Sequence, residues 1–186
     1  MLVSERANAK INLALHIKGR RADGYHALDS IVAFAGVADV LAMAPAGSVT
    51  LDITGPFAGD LPRDGTNSVL SAWRLLDDFS RQQGAALAPV KFQLEKNLPV
   101  ASGIGGGSAD AAAALRGLIR LFDLSVSGQD LNGLALQLGA DVPVCLRQES
   151  SRMTGIGEII EPIGLDIPSG IVLVNPEPCI GCKLSS

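Results

Sequence analysis

The 186-residue chain is long enough for one domain and part of a second, and 47% of it is apolar but only 4% aromatic, so its core must be built mainly from Ala, Leu, Ile and Val. A net charge of −4 argues against nucleic acid as a partner, despite the local basic cluster Lys18-Gly-Arg20-Arg21. No apolar run approaches the ~20 residues that cross a bilayer, and Met1-Leu-Val-Ser-Glu-Arg does not read as a secretory signal, so no membrane partner is expected. Three cysteines, Cys145, Cys179 and Cys182, make no disulfide framework, and the reducing cytoplasm is the expected compartment. Cys179-Ile-Gly-Cys182 is a lone C-x-x-C with no second ligand pair; it is read as incidental, and no metal ligand is assigned.

In chain order, Ala7 to Lys18 alternates Ile11, Leu13, Leu15 and Ile17 with polar or small residues, which predicts a strand with those four on its buried face. Lys10 and Asn12 share the opposite face. On a solvated edge they are ordinary surface groups; lining a cleft, they present an ammonium and an amide to an anion. His16 on the same face is read as structural. The loop Gly19 to His26 carries an Asp-Gly turn signal and the chain's only tyrosine, Tyr25, which suits packing or a stacking platform, with packing preferred. Ser30–Ala44 and Val49–Thr54 read as two strands joined through Pro45-Ala-Gly47. Asn67 then caps a helix over Ser68–Gln83, with Val69, Leu70, Trp73, Leu76 and Phe79 at helical spacing and Gly84 as its stop.

The next stretch is the most informative. A predicted strand, Val90–Glu95, runs into Asn97-Leu-Pro-Val-Ala-Ser-Gly103-Ile-Gly105-Gly106-Gly107-Ser108-Ala109-Asp110 and then into an Ala- and Leu-rich helix over Ala111–Leu121. A glycine loop that opens a helix leaves backbone N–H groups unpaired at the positive end of the helix dipole, an arrangement suited to phosphate. Neither G-x-G-x-x-G nor G-x-x-x-x-G-K-[ST] fits, because residue 108 is Ser and no lysine follows. On its own the loop is either a third kind of anion cradle or a flexible turn capped by Ser108. Ser127 opens another helix to Leu138, stopped by Gly139. Asp141 follows just past the helix end, before Pro143, which is expected to forbid helix continuation, and taken alone it reads as a turn aspartate. Arg152–Ile160 and Gly170–Val174 read as strands.

Four stretches in order carry a resemblance: Ala7-Asn-Ala-Lys-Ile-Asn-Leu, Arg20-Arg-Ala-Asp-Gly-Tyr-His, Leu98 through Ala112, and Leu138-Gly-Ala-Asp-Val-Pro-Val. Together they resemble the galactokinase, homoserine, mevalonate and phosphomevalonate kinase superfamily. Within it the match is to the kinases of a cytidine-diphosphate-linked methylerythritol in the non-mevalonate route to isoprenoid precursors. That resemblance implies an α+β fold of the ribosomal protein S5 domain 2-like type, ATP and Mg²⁺ as cofactors, and a small-molecule substrate whose hydroxyl is phosphorylated. It implies Lys10 and Asp141 as the catalytic pair, the acid taking the hydroxyl proton and the lysine orienting it. It assigns the nucleotide to Lys96, Leu98, Pro99, Val100, Ala101, Ser102, Gly103, Ile104, Gly105, Gly106, Gly107, Ser108 and Ala109, and the substrate to Asn12, Tyr25 and His26, the last two holding the cytosine ring. Tyr25-His26 also argues against a sibling kinase acting on homoserine or mevalonate.

Residues 1–148 are expected to form the nucleotide-binding domain and residues 149–186 the start of an incomplete second α+β domain. A non-catalytic nucleotide-binding fragment or pseudoenzyme is the competing expectation.

Overall fold

The computed structural model describes residues 1–20, 24, 26–59, 61–165 and 170–174. Two long antiparallel strands, β1 (Val3–Arg20) and β2 (His26–Pro45), form a ribbon, and β3 (Thr50–Thr54) and β4 (Val90–Glu95) follow with α1 (Ser68–Gln82) between them. Then come α2 (Gly106–Phe122), α3 (Gly128–Leu138), α4 (Val142–Arg147) and the hairpin β5 (Ser151–Gly155) and β6 (Ile159–Pro162). One sheet runs β3-β4-β2-β5-β6, with β1 along the other edge of β2. The architecture is α+β. Strand β2 is long enough to pair β4 through Val40–Pro45 and β5 through Leu28–Val32, so β5 and β6 extend the same sheet as the elements before them. Helix α2 lies against β1 and β2, and α1, α3 and α4 pack around it. Among the described residues no helix is long and apolar enough to cross a membrane.

Local signals explain most of these elements. Asn67 Oδ1 accepts from Val69 N–H at the start of α1, and Ser127 Oγ accepts from Asp130 N–H at the start of α3, each meeting an otherwise unpaired donor. The apolar faces meet in a core of Leu41, Met43, Leu76, Phe92, Leu115 and Leu118, all essentially without exposed surface.

Four expectations need correction. The apolar alternation of β1 does not mark a buried face: Ala7, Ala9 and Lys10 are buried and Ile11 half-buried, whereas Leu13, Leu15 and Ile17 are exposed. From Leu15 to Arg20 the strand is exposed on both faces, and the β1–β2 register slips at Asn8/Lys10, Asn12/Ala14 and Ile17/Gly19. Helix α2 begins at Gly106, five residues earlier than its alanines suggest, with Gly105 and not Ser108 as its N-cap. Pro143 does not end helical structure: it stands in the first turn of α4, where a missing N–H costs nothing. The single strand over Arg152–Ile160 is the β5–β6 hairpin, and Gly170–Val174 has no strand partner among the described residues.

The junction of β2, β4 and α2 is tied by charge. Lys96 Nζ lies 2.5 Å from Asp39 Oδ2 and 2.7 Å from Asp110 Oδ2, all three side chains being buried. Asp39 Oδ1 accepts from the backbone N–H groups of Asn97 (2.6 Å) and Leu98 (2.8 Å), so one carboxylate holds both the lysine and the first amides of the glycine loop. Burial opposes the charge on Lys96, but the carboxylates of Asp110 and Asp39 outweigh it and raise its pKa above the ordinary lysine value. Burial pushes Asp110 up to about 7, helped by Asp39 and opposed by Lys96; its Oδ1 has no hydrogen-bond partner. The backbone of Lys96 is itself clasped, its N–H donating to Thr54 O and its carbonyl accepting from Phe57 N–H.

Two outcomes follow. Gly55 has φ +95°, and a Cβ there would lie 2.6 Å from Lys96 O, whereas Gly84 has φ +94° with open space around it. Gly84→Ala is therefore expected to cost about 1 kcal/mol and Gly55→Ala about 3 kcal/mol or more in urea unfolding; equal losses would show that the backbone gives way freely. An acid that binds its proton more tightly when folded stabilises the fold most below its unfolded value, near 3.8, and that contribution is lost as pH climbs to about 7. Asp110→Asn removes the dependence. Unfolding free energies of parent and variant should thus shift in the variant's favour by more than about 1 kcal/mol between about pH 4.5 and 7.5; parallel curves would show Asp110 ionised throughout.

Candidate active site

The glycine loop leaves the Asp39–Lys96 junction at Leu98 and turns back into α2. Leu98 is buried and packs with Ala9 and Ala35, and Ile104 joins the same cluster, so both side chains anchor the loop. Ser102 Oγ donates to Pro99 O (2.8 Å) within the turn. Ala101, Gly103 and Gly105 all have positive φ, and Gly105 as N-cap supplies no side chain to the first turn of α2. The leading amides of α2 therefore lack a capping side chain, at the end where the helix dipole favours an anion. A cleft of about 400 Å³ opens over them, bounded by Ala101, Gly105, Ser108, Ser68, Leu138 and Asp141. Val100 is exposed beside it, and Ala109 is buried in the core.

A second hollow of about 300 Å³ shares Ser68, Ala101, Gly106 and Gly107 with this cleft and reaches Thr66, Asn67, Lys96 and Asp110. The loop thus has a space on either side, one ending at Asp141 and the other at the buried lysine. Lys96 stands directly beneath it: a Cβ on Gly106 would lie 3.2 Å from its Nζ.

Lys10 links the loop to the acid. Its backbone N–H donates to Ile104 O (2.9 Å), and a Cβ on Gly105 would lie 3.2 Å from Lys10 Cβ, so the loop rests on the stem of this side chain. Lys10 is 4% exposed, and its Nζ lies 3.1 Å from Asp141 Oδ2 and 3.0 Å from Asn12 Oδ1. Asp141 is the N-cap residue of α4 in helical conformation and makes no capping hydrogen bond, so its carboxylate is turned to Lys10 and to the cleft. α4 is fastened from behind by Arg116, whose guanidinium donates to Cys145 O (2.8 Å). Cys145 itself is buried, and that burial pushes its thiol up to about 12, which keeps it unreactive.

The structure brings Lys10, Asn12 and Asp141 together at the mouth of the glycine-loop cleft. It does not bring His26 to them: His26 is exposed at the far end of the ribbon, opposite Arg20, eight residues along β2 from the partner of Lys10, or roughly 25 Å. Tyr25 lies outside the described residues. Asp39, Asp110, Ser30 and Ser68 have no assigned role in the sequence reading. The available signal for Asp39 is an acid between Ala38 and Val40 in the otherwise apolar run Ile31 to Ala44; that for Asp110 is its place inside the glycine motif.

Residues 67–149 match the family model described as the GHMP kinases N terminal domain. The chain is 52% identical over 93% of its length to a 4-diphosphocytidyl-2-C-methyl-D-erythritol kinase of Paramagnetospirillum magneticum, and 55% identical over 94% to one of Rhizobium leguminosarum bv. trifolii. It covers 59% and 58% of those proteins, and so spans less than two thirds of their length. Among solved structures, a 4-(cytidine 5'-diphospho)-2C-methyl-D-erythritol kinase matches 87% of this chain and 55% of its own at a TM-score of 0.71 and 36% identity. A homoserine kinase from Cytophaga hutchinsonii matches 88% of this chain and 51% of its own at a TM-score of 0.60, but at 17% identity it speaks to the fold alone. The family model, the curated relatives and the fold agree: the chain is similar to the N-terminal domain of GHMP kinases over residues 67–149, and to little more than half the length of the individual kinases it matches.

Proposed function

We propose that this chain carries the nucleotide-binding part of a kinase that uses ATP to phosphorylate a hydroxyl of 4-diphosphocytidyl-2-C-methyl-D-erythritol, in the cytoplasm. The observation that carries the reading is the Lys10–Asp141 pair, 3.1 Å apart, at the open mouth of a cleft walled by unpaired helix-start amides. The substrate is that named for the relatives. The nucleotide-binding unit read as residues 1–148 is proposed to include the β5–β6 hairpin, which continues its sheet.

Phosphoryl transfer passes through a loose transition state, so positioning and charge stabilisation do most of the work. The amides from Gly105 to Ser108 hold phosphate oxygens without side-chain entropy to lose. Lys10 donates to Asp141 and Asn12 together, which holds the carboxylate toward the cleft and leaves a third ammonium proton for an incoming oxygen. Asp141 Oδ1 then accepts the acceptor hydroxyl's proton as the new oxygen–phosphorus bond forms and the bond from the γ-phosphorus to the β–γ bridging oxygen breaks, that oxygen leaving with ADP. A Mg²⁺ carried by the nucleotide's own phosphates would find the Ser108 hydroxyl and the Asp141 carboxylate as nearby oxygens lining the cleft. When bound there, it neutralises phosphate charge. The hollow toward Asn67 and Lys96 would take the remainder of the nucleotide. Asn12, Tyr25 and His26 are assigned to the cytidylyl-linked substrate, on the strength of the sequence resemblance.

Asp141→Asn is expected to lower turnover by on the order of 10²–10⁴ in an assay of ATP-dependent phosphate transfer to this acceptor; turnover within about threefold of the parent would remove Asp141 from the role of base. Lys10→Ala should likewise act on turnover, and an effect confined to ATP affinity would reassign it. A second reading, nucleotide binding without transfer, is favoured by the openness of the cleft, where the Asp141 side chain is 40% exposed. Calorimetry with ATP and Mg²⁺ beside the transfer assay separates the two, since heat of binding without product supports the second.

A further inference from the structure

Ser30 stands in β2 with 1% of its surface exposed, opposite Leu15 of β1. Its Oγ lies 2.7 Å from Ala14 O and 2.7 Å from Asn12 Nδ2, bonding across the point where the β1–β2 register slips between Asn12 and Ala14. A serine hydroxyl has one proton to give. The Ala14 carbonyl can only accept, so that proton is committed to it, and toward Asn12 the Ser30 oxygen can only accept. The Asn12 amide is thereby oriented: its NH₂ faces Ser30 and its oxygen faces Lys10 Nζ, 3.0 Å away. Turned over, the amide would set NH₂ against an ammonium and its oxygen against a hydroxyl oxygen with no proton left. The bonds form one directed chain from Lys10 through Asn12 and Ser30 to the Ala14 backbone, with Asp141 at its head.

We infer that Ser30 is a positioning residue for phosphoryl transfer: by gripping the Asn12 amide it holds the Lys10 ammonium in place against Asp141. The inference rests on the kinase reading above. Ser30 touches neither the cleft nor the loop, and its action runs entirely through Asn12. Without its oxygen, the half-buried amide of Asn12 is free to rotate away from Lys10, and the lysine loses one of the two acceptors that fix it.

The experiment uses Ser30→Ala, Ser30→Thr, Asn12→Ala and the Ser30→Ala/Asn12→Ala double variant of this chain. Ser30→Ala should lower kcat about tenfold to a hundredfold while leaving KM for ATP within about twofold, because the glycine cradle is untouched. Ser30→Thr, which keeps the hydroxyl, should recover most of kcat. In the Asn12→Ala background Ser30→Ala should add nothing, because the group it acts through is already gone. Equal losses of kcat in both backgrounds, or a loss that Ser30→Thr fails to recover although that variant unfolds at the parent's temperature, overturns the inference. NMR of the Asn12 side-chain NH₂ and of Lys10 ¹⁵Nζ reads the same chain of bonds without turnover: Ser30→Ala should speed amide exchange and move both signals, and unchanged signals overturn it. If the parent itself transfers no phosphate, the kinase reading fails by that result, while the NMR comparison still decides whether Ser30 positions Asn12 and Lys10.

Discussion

One buried ammonium shared by two carboxylates is the constraint on which the rest of the site depends. Lys96 stands where β4 ends and the glycine loop begins, Asp39 reaches it from β2 and Asp110 from the first turns of α2. Three buried ionisable groups are costly to desolvate, and such clusters contribute little net stability. What this one supplies is location. Asp39 spends its second oxygen on the amides of Asn97 and Leu98, so the strand that ends, the loop that starts and the helix that follows are all referred to a single charge. A glycine-rich segment has little conformational preference of its own, and here its ends are set electrostatically.

Lys10 does for the other end of the loop what Lys96 does for its beginning, but through two different atoms. Its main-chain amide receives the loop at Ile104 while its side chain meets Asp141 and Asn12. Residues on β1, the glycine loop and α4 are thus brought within hydrogen-bonding distance by one residue on a strand. The short helix α4 presents the acid to the cleft because Asp141, its N-cap residue, makes no capping bond, while Arg116 holds the helix at Cys145 O. Backbone donors and a charged pair are thereby supplied by separate elements, and each can be perturbed apart from the other.

Much of this was legible in the residues. The caps at Asn67 and Ser127, the apolar spacing of α1 and the strand–glycine loop–helix succession are local signals, read within a turn or two of the chain. The exposure of the outer part of β1, despite its apolar alternation, was not legible, because burial of a strand face depends on what packs over it and the strand alone does not encode that. Pro143 misled for a related reason: whether a proline stops a helix or opens one depends on which side the helix lies. Asp39 escaped notice because its partners are 57 and 58 residues away in sequence. The pairing of Lys10 with Asp141 could be anticipated from resemblance but not from spacing, since 131 positions separate them and only the fold brings them to contact.

Helix α2 begins at the loop and is buried on every side through Ala109–Ala114, five of those six positions being alanine. Alanine has no rotamers, so this segment surrenders no side-chain freedom on folding and offers none afterwards. A helix lined by longer chains could absorb a push by letting a methyl group swing aside; this one can respond only by moving as a rod. Displacement of its packing surfaces is then passed on to the three glycines at its head, and the stiffness of the glycine loop is set by methyl groups about one to two turns behind it.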